Sequence, residues 1–449
     1  MVSAAEQLAA NLNFGAFSKA EELKKRLWFT LIALLVYRLG TFIPLPGVNP
    51  VAFASAFKTQ SSGILGMFNM FAGGAVERLA IFALNIMPYI SASIIMQLMT
   101  SVVPSLEILK KEGEAGRKQI NQYTRYLTVA LATFQAYGIA VGLEGSRGQV
   151  GAVVLDPGVF FRLTTVITLV GGTLFLMWLG EQITARGVGN GTSLIIMSGI
   201  VAGMPAALSG LFELSRQGAI SPFMLIALLA LMLAVVAAII FIERAQRRLL
   251  IQYPKRQMGN KMFQGDASHL PLKLNSSGVI PPIFASSLLL LPITAAQFAA
   301  GAGPEWLGGV VAMLGRGQPL YLAIYVALIL FFAFFYTAVV FNPQETADNL
   351  RKYGGFIPGI RPGAKTAEFI DYVLTRITVM GAIYLAVVCV LPEVLIAYAG
   401  VPFYFGGTSL LIAVSVMMDT VAQIQSHLIA QQYEGLIKKA KLRGASRGR

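Results

Sequence analysis

ISPFMLIALLALMLAVVAAIIFIERAQRRLL, residues 220–250, stays apolar from Ile220 to Ile242 except for Ser221 and Pro222, then breaks into Glu243, Arg244, Arg247 and Arg248. About 20 apolar residues cross roughly 30 Å of hydrocarbon as a helix, so this stretch reads as a membrane span with a charged boundary. Nine other segments have the same character: 27–44, 79–103, 126–143, 158–180, 190–211, 278–299, 319–341, 373–397 and 407–428. The whole chain agrees with them, being 56% hydrophobic and only 12% charged, against roughly 25% charged in soluble proteins. A soluble globule is excluded as the class. The expectation is an all-α integral membrane domain of ten transmembrane helices.

The chain carries 35 Lys and Arg against 21 Asp and Glu, a net charge of +14. Assigned to alternating connections, 28 of the 35 basic residues fall on the side of the N-terminus and seven on the other. Positive residues near helix ends are retained in the cytoplasm, so both termini are expected there. Residues 1–26 show no cleavable signal pattern and end in a charged anchor, Lys19 to Arg26. Five spans on each side of the middle predict two inverted halves, 27–213 and 214–432, followed by a basic tail at 433–449.

The chemistry the composition excludes is as informative. A single cysteine, Cys389, rules out an intramolecular disulfide and any CxxC motif, and two histidines leave little for a metal site. No GxxxxGK[ST], HExxH or GxSxG pattern occurs, so no catalytic residue, metal or cofactor is expected. A charge-coupled carrier keeps ionisable groups at mid-membrane; here Asp419, four residues before Gln423 in the last span, is the main candidate. A secondary solute carrier therefore stands as the alternative to a passive conduit.

Three interruptions stand out. Between the first two spans, SSGILGMFNMFAGGAVERLA (61–80) holds a short apolar run bracketed by Gly63, Gly66, Gly73 and Gly74. Two readings fit it: an amphipathic helix on the outer surface, or a half-helix folded back into a cavity on glycine hinges. In the second span, NIMPYISASIIMQL (85–98) carries Pro88 and the polar residues Asn85, Ser91, Ser93 and Gln97, with Ile86 and Ile90 one turn apart. GEQITARGVGNGTS (180–193) reads as a tight glycine turn at the cytoplasmic face.

Two cytoplasmic connections exceed what a turn needs. The first, 244–274, carries Arg244, Arg247, Arg248, Lys255, Arg256, Lys261 and Lys273; the second, 342–372, frames Arg361 between Pro358 and Pro362. Attraction to anionic lipid explains the charge but not the proline framing. A rigid exposed arginine suits a carboxylate or phosphate, which points to a docking partner, acidic protein or ribosomal RNA.

Several long stretches carry a family resemblance: FNMFAGGAVERLAIFALNIMPYISASIIMQLMTSVVPSLE, GRKQINQYTRYLTVALATFQAYGIA, LMWLGEQITARGVGNGTSLIIMSGIVAGMP, SHLPLKLNSSGVIPPIFASS, FFYTAVVFNPQETADNLRKYGGFIPGIRPG and VPFYFGGTSLLI. From about Leu23 to the tail the chain resembles the bacterial SecY family, the protein-conducting channel of the general secretion pathway. That resemblance implies two five-helix halves around a pore, a plug, an apolar ring at the waist and a lateral opening to lipid. The plug would be 63–73, with Gly63, Ile64, Leu65, Gly66, Met67, Phe68, Asn69, Met70 and Phe71 at its heart. Ile86, Ile90, Ile196, Ile283 and Ile412 match ring positions, and Thr192 stands where another isoleucine is common. Ser91 and Asn275 are similar to polar positions of the lateral gate. Arg361, with Arg256 and Lys261, would form the docking surface, although Asn260 and Lys261 replace a frequent arginine pair and Asn85 replaces a common glycine. The implied partners are SecE, SecG, the SecA motor ATPase, the ribosome, secretory and membrane polypeptides, and the lipid of the bacterial cytoplasmic membrane.

Overall fold

In hydrocarbon a backbone must satisfy its own polar groups, which a helix does within one segment. The computed structural model describes residues 21–60, 69, 71–145, 147–148, 151–218, 221–253, 256–258, 261–263, 267–299, 318–399 and 407–445. Helices over this range are α1 (Glu21–Gly40), α2 (Pro50–Gln60), α3 (Met87–Val102), α4 (Pro104–Lys111), α5 (Glu114–Gly145), α6 (Val159–Arg186), α7 (Gly191–Arg216), α8 (Pro222–Arg244), α9 (Ile280–Ala299), α10 (Pro319–Val340), α11 (Pro343–Lys352), α12 (Ala364–Ala399) and α13 (Gly407–Ala445). One of them covers most of each apolar segment expected to span. Among the described residues seven helices are long and apolar enough to cross a membrane, α5, α6, α7, α8, α10, α12 and α13, or eight if α3 and α4 are one broken span.

The second segment departs from expectation. Its helix starts at Met87 rather than at 79, and residues 72–86 run as successive turns. Leu79 and Asn85 hold positive φ angles of 44° and 49°, which helical L-residues do not adopt. Pro88 lies in the first turn of α3, where its missing N–H costs nothing; it starts the helix instead of kinking one. At the other end Pro104 opens α4, and Val103 before it is extended (φ −96°, ψ 115°), as a residue preceding proline prefers. The chain bends there by 98°.

The chain divides into two compact units, Met1–Pro205 with Val416–Arg449, and Ala206–Ser415. In the first, α5 packs on α3 and α6, and α6 on α1. Ala132, Ala136 and Ala140 form a small-residue stripe on α5 in a core with Leu79, Ala83, Leu84, Phe161 and Leu169; small side chains let membrane helices approach closely. Gly172 shows the same need, since a Cβ there would lie 2.2 Å from the Ile81 carbonyl oxygen.

In the second unit α10 packs on α9 and α12. The first long basic connection is an antiparallel hairpin: β3 (Gln246–Gln252) pairs with β6 (Ala267–Lys273) from Gln246↔Lys273 to Gln252↔Ala267, and β4 (Arg256–Met258) pairs with β5 (Lys261–Phe263). Among the described residues the other ladder, in the first unit, is the two-residue pair β1 (Arg147–Gly148) with β2 (Gly151–Ala152). Burial alternates along the second half of β3: Leu249 and Ile251 turn inward and Leu250 and Gln252 outward, while both arginines are exposed at its start.

Candidate functional site

Ile86 and Ile90 meet their expectation of sharing a face by an unexpected route. Ile86 is the residue preceding α3, with φ −95° and ψ 5°, and its carbonyl accepts from the Ile90 amide at 3.1 Å. Both are buried, at 0% and 5% exposure. In α7 Ile196 is buried and Thr192, one turn earlier, half-buried. Ile283 in α9 and Ile412 in α13 are buried as well.

Of the expected plug, Asn69 and Phe71 are described; Gly63, Ile64, Leu65, Gly66, Met67, Phe68 and Met70 lie outside the described residues. Asn69 accepts from the Glu77 amide through Oδ1 at 2.9 Å, which closes residues 69–77 into a loop. Beyond it the Asn85 side chain donates from Nδ2 to the Phe71 carbonyl at 2.7 Å, and Arg38 donates from Nη1 to the Gly73 carbonyl at 2.5 Å. Gly73 (φ +64°) and Gly74 (φ +83°) make the sharp turn that glycine allows without steric cost. Asn85 is buried, yet its Oδ1 has no partner among the described residues, an omission that costs about 1–3 kcal/mol for a buried polar group.

Ser91 is buried in α3, and Asn275 is buried beside the start of α9. Asn275 donates from Nδ2 to Glu243 Oε1 (2.7 Å) and to the Gly278 carbonyl (3.0 Å), and Ser277 donates to its Oδ1 (3.0 Å). Each polar position of that side chain is thus occupied, which fixes the chain between α8 and α9 before the helix begins.

The glycine turn at 180–193 is tight for two different reasons. Gly189 uses a positive φ of 90°, whereas Gly191 and Gly187 serve close approach: a Cβ on Gly191 would lie 2.0 Å from the Gly180 carbonyl oxygen, and one on Gly187 2.4 Å from Thr30 Oγ1. Gln423 Oε1 accepts from the Gly189 amide at 2.8 Å, so this last-span glutamine pins the turn.

At the basic connections, Leu249 and Leu272 of the hairpin are buried with Ile357, Ile370, Val373 and Ile377. Gln252 and Phe356 exchange two backbone hydrogen bonds, 2.9 and 3.0 Å, so the hairpin and the 342–372 connection are one block. Arg361 is exposed on it, between Gly359 (φ +83°) and Gly363 (φ +106°), with its carbonyl accepting from Thr366 Oγ1 at 2.9 Å. Arg256 and Lys261 lie in β4 and β5, but their side chains are outside the described residues, as is Asn260. Sequence reasoning missed Arg38, Gly199 and the hairpin, none of which left a periodic signal. Among the described residues no three His, Cys, Asp or Glu converge as a metal site would need.

The SecY family profile matches residues 80–421. The chain is 57% identical to the protein translocase subunit SecY of Rickettsia conorii, over 95% of this chain and 99% of that one. It is 53% identical to the subunit of the same name from Escherichia coli K12, over 95% and 96%. Among solved structures, one described as a protein-conducting channel superposes with a TM-score of 0.66 at 16% identity, covering 90% of this chain and 92% of that one. Sec61 in a canine ribosome–channel complex from the endoplasmic reticulum gives 0.63 at 16% identity, with the same coverage. These likenesses give the solute-carrier alternative no support. A chain built mainly of apolar helices, superposing on channels of this fold and more than half identical along its length to translocase subunits, belongs to the SecY family.

Proposed function

We propose that the chain is the protein-conducting subunit of a bacterial Sec translocase, a multi-pass protein of the cytoplasmic membrane. It passes unfolded secretory polypeptides across that membrane and releases hydrophobic segments sideways into lipid. The observation that carries this reading is identity of 53–57% over 95% of the chain to protein translocase subunits. The physical need is plain: charges and unpaired backbone cost several kcal/mol per group in hydrocarbon, so a secreted chain requires a polar path, and an open polar path leaks ions.

In this reading all ten apolar helices span, both termini are cytoplasmic, and the halves are 27–213 and 214–432. Ile86, Ile90, Ile196, Ile283 and Ile412 with Thr192 form a branched apolar collar that resists wetting and closes on a moving chain, and 63–73 plugs it at rest. Burial of the five isoleucines supports the collar. Ser91 and Asn275 border the route to lipid, where a sufficiently apolar segment partitions favourably. The chain itself performs no catalysis; SecA or a translating ribosome drives it, docking at Arg361, Arg256 and Lys261, and SecE and SecG complete the assembly. The rigid block that presents Arg361 supports that role.

The test is a secretory precursor stalled in the assembled translocase, with photo-crosslinkers at positions 90 and 283. Crosslinks from both positions to the translocating chain are expected. A chain that crosslinks only to lipid-facing positions such as Phe241, which is 77% exposed, overturns the reading.

A further inference from the structure

We propose that Asn85, with Arg38 and Gly199, forms a releasable latch that couples the collar to the stem of the plug. The inference rests on the plug and collar reading above. Three features of one small region carry it, all within the first unit. Asn85 donates to the Phe71 carbonyl at 2.7 Å, and Arg38 donates to the Gly73 carbonyl at 2.5 Å. Gly199 of α7 meets the same stem by its bare backbone: a Cβ there would lie 2.6 Å from the Phe71 carbonyl oxygen and 3.1 Å from the Gly73 nitrogen. The stem is therefore bonded at two carbonyls, Phe71 from the residue before the collar and Gly73 from α1, and α7 packs closely against it.

Asn85 is costly where it stands. It holds a left-handed φ of 49°, and its buried Oδ1 has no partner among the described residues. A glycine would remove both penalties and lose only the bond to Phe71. That bond is what the asparagine contributes at this position, and strain retained at one residue is a reason to look for a function there. The connection it makes is specific: Phe71 belongs to the plug, and Asn85 is covalently joined to Ile86, the first collar residue. A chain entering the collar displaces Ile86, which draws Asn85 away from Phe71 and frees the stem. One bond to one carbonyl can break without unfolding α3, because Asn85 lies outside the helix.

The experiment uses the assembled translocase in nanodiscs, with hydrogen exchange followed across residues 69–80, and in planar bilayers, with resting conductance. Asn85→Gly relieves the backbone and removes the bond; Asn85→Asp keeps the size but presents a carboxylate to the Phe71 carbonyl and cannot donate. Both variants are expected to exchange about tenfold faster in 69–80, the loss of one buried hydrogen bond, and to conduct more at rest. Gly199→Ala gives the same result by steric displacement; if it fails to assemble, the two Asn85 variants decide alone. Wild-type exchange in Asn85→Asp overturns the latch, whatever the conductance. Faster exchange with unchanged conductance sustains the latch and overturns the plug reading on which its sealing role rests.

Discussion

Two excursions from the helices are built on opposite plans. The cytoplasmic block, 246–273 with 342–372, is held by redundancy: six buried apolar side chains, a seven-residue ladder and a backbone bridge at Gln252 and Phe356. The 71–76 stretch is held by single side-chain bonds to the Phe71 and Gly73 carbonyls and by the absence of side chains at Gly73 and Gly199. Apart from Phe71, its buried apolar side chains are small, Ala72, Ala75 and Val76, packed with Ala80 against Phe57; Leu79, Phe82, Leu84 and Ile86 bury larger ones only beyond it. Burying a large aliphatic side chain is worth roughly 1.5–3 kcal/mol, and a methyl far less. In the proposed function the surface that would bear a motor is cemented by many contacts, and the segment that would leave is held by few.

The largest effect should come from removing one brick of the block. Ile370 is fully buried at the centre of the cluster, and Ile370→Ala is expected to cost about 2–5 kcal/mol locally. Trypsin should then cut at Arg247 and Arg248, and motor-driven export should fall while insertion in the membrane persists. If tryptic protection is unchanged, the hairpin is not held by this cluster and the contrast is lost.

The next effect lies in the other region. At Gly73 a Cβ would sit 3.0 Å from the Gly199 Cα and 3.1 Å from Arg38 Nη1, on a backbone with φ +64°. Gly73→Ala is expected to cost about 1–2 kcal/mol for the left-handed conformation alone, read as a lower thermal midpoint of the purified assembly and faster amide exchange in 69–80. An unchanged midpoint together with unchanged exchange would mean that the stem tolerates a side chain and is not gripped there.

The spans were legible because hydrocarbon leaves one solution for long apolar segments. The hairpin was not legible: QRRLLIQ sets three polar residues before three apolar ones, with no period of two, and the alternation belongs to burial alone. The start of α3 was not legible either, since Pro88 fits a kink inside a helix as well as it fits a first turn. The backbone of Asn85 was also hidden, because asparagine tolerates the left-handed region without requiring it. Nor could the sequence distinguish the work of its glycines. Gly189 needs its φ, whereas Gly187, Gly191 and Gly199 need the space of a missing Cβ, which depends on what the fold brings alongside.

The smallest effect is the sharpest test of the contrast, because it sets one asparagine against another. Asn342 caps α11, its Oδ1 accepting from the amides of Gln344 (3.1 Å) and Glu345 (3.3 Å); Asn85 makes a single bond to Phe71. Counted as hydrogen bonds, Asn342 is the more invested of the two. Asn342→Ala is expected to cost about 1 kcal/mol, as lost caps do, and to speed exchange only in the first turn of α11. The hairpin 246–273 should keep its full protection, since Leu249, Leu272 and Ile370 remain packed. Should hairpin protection fall along with the cap, the block would be as dependent on single bonds as the stem is, and redundancy could no longer set the two excursions apart.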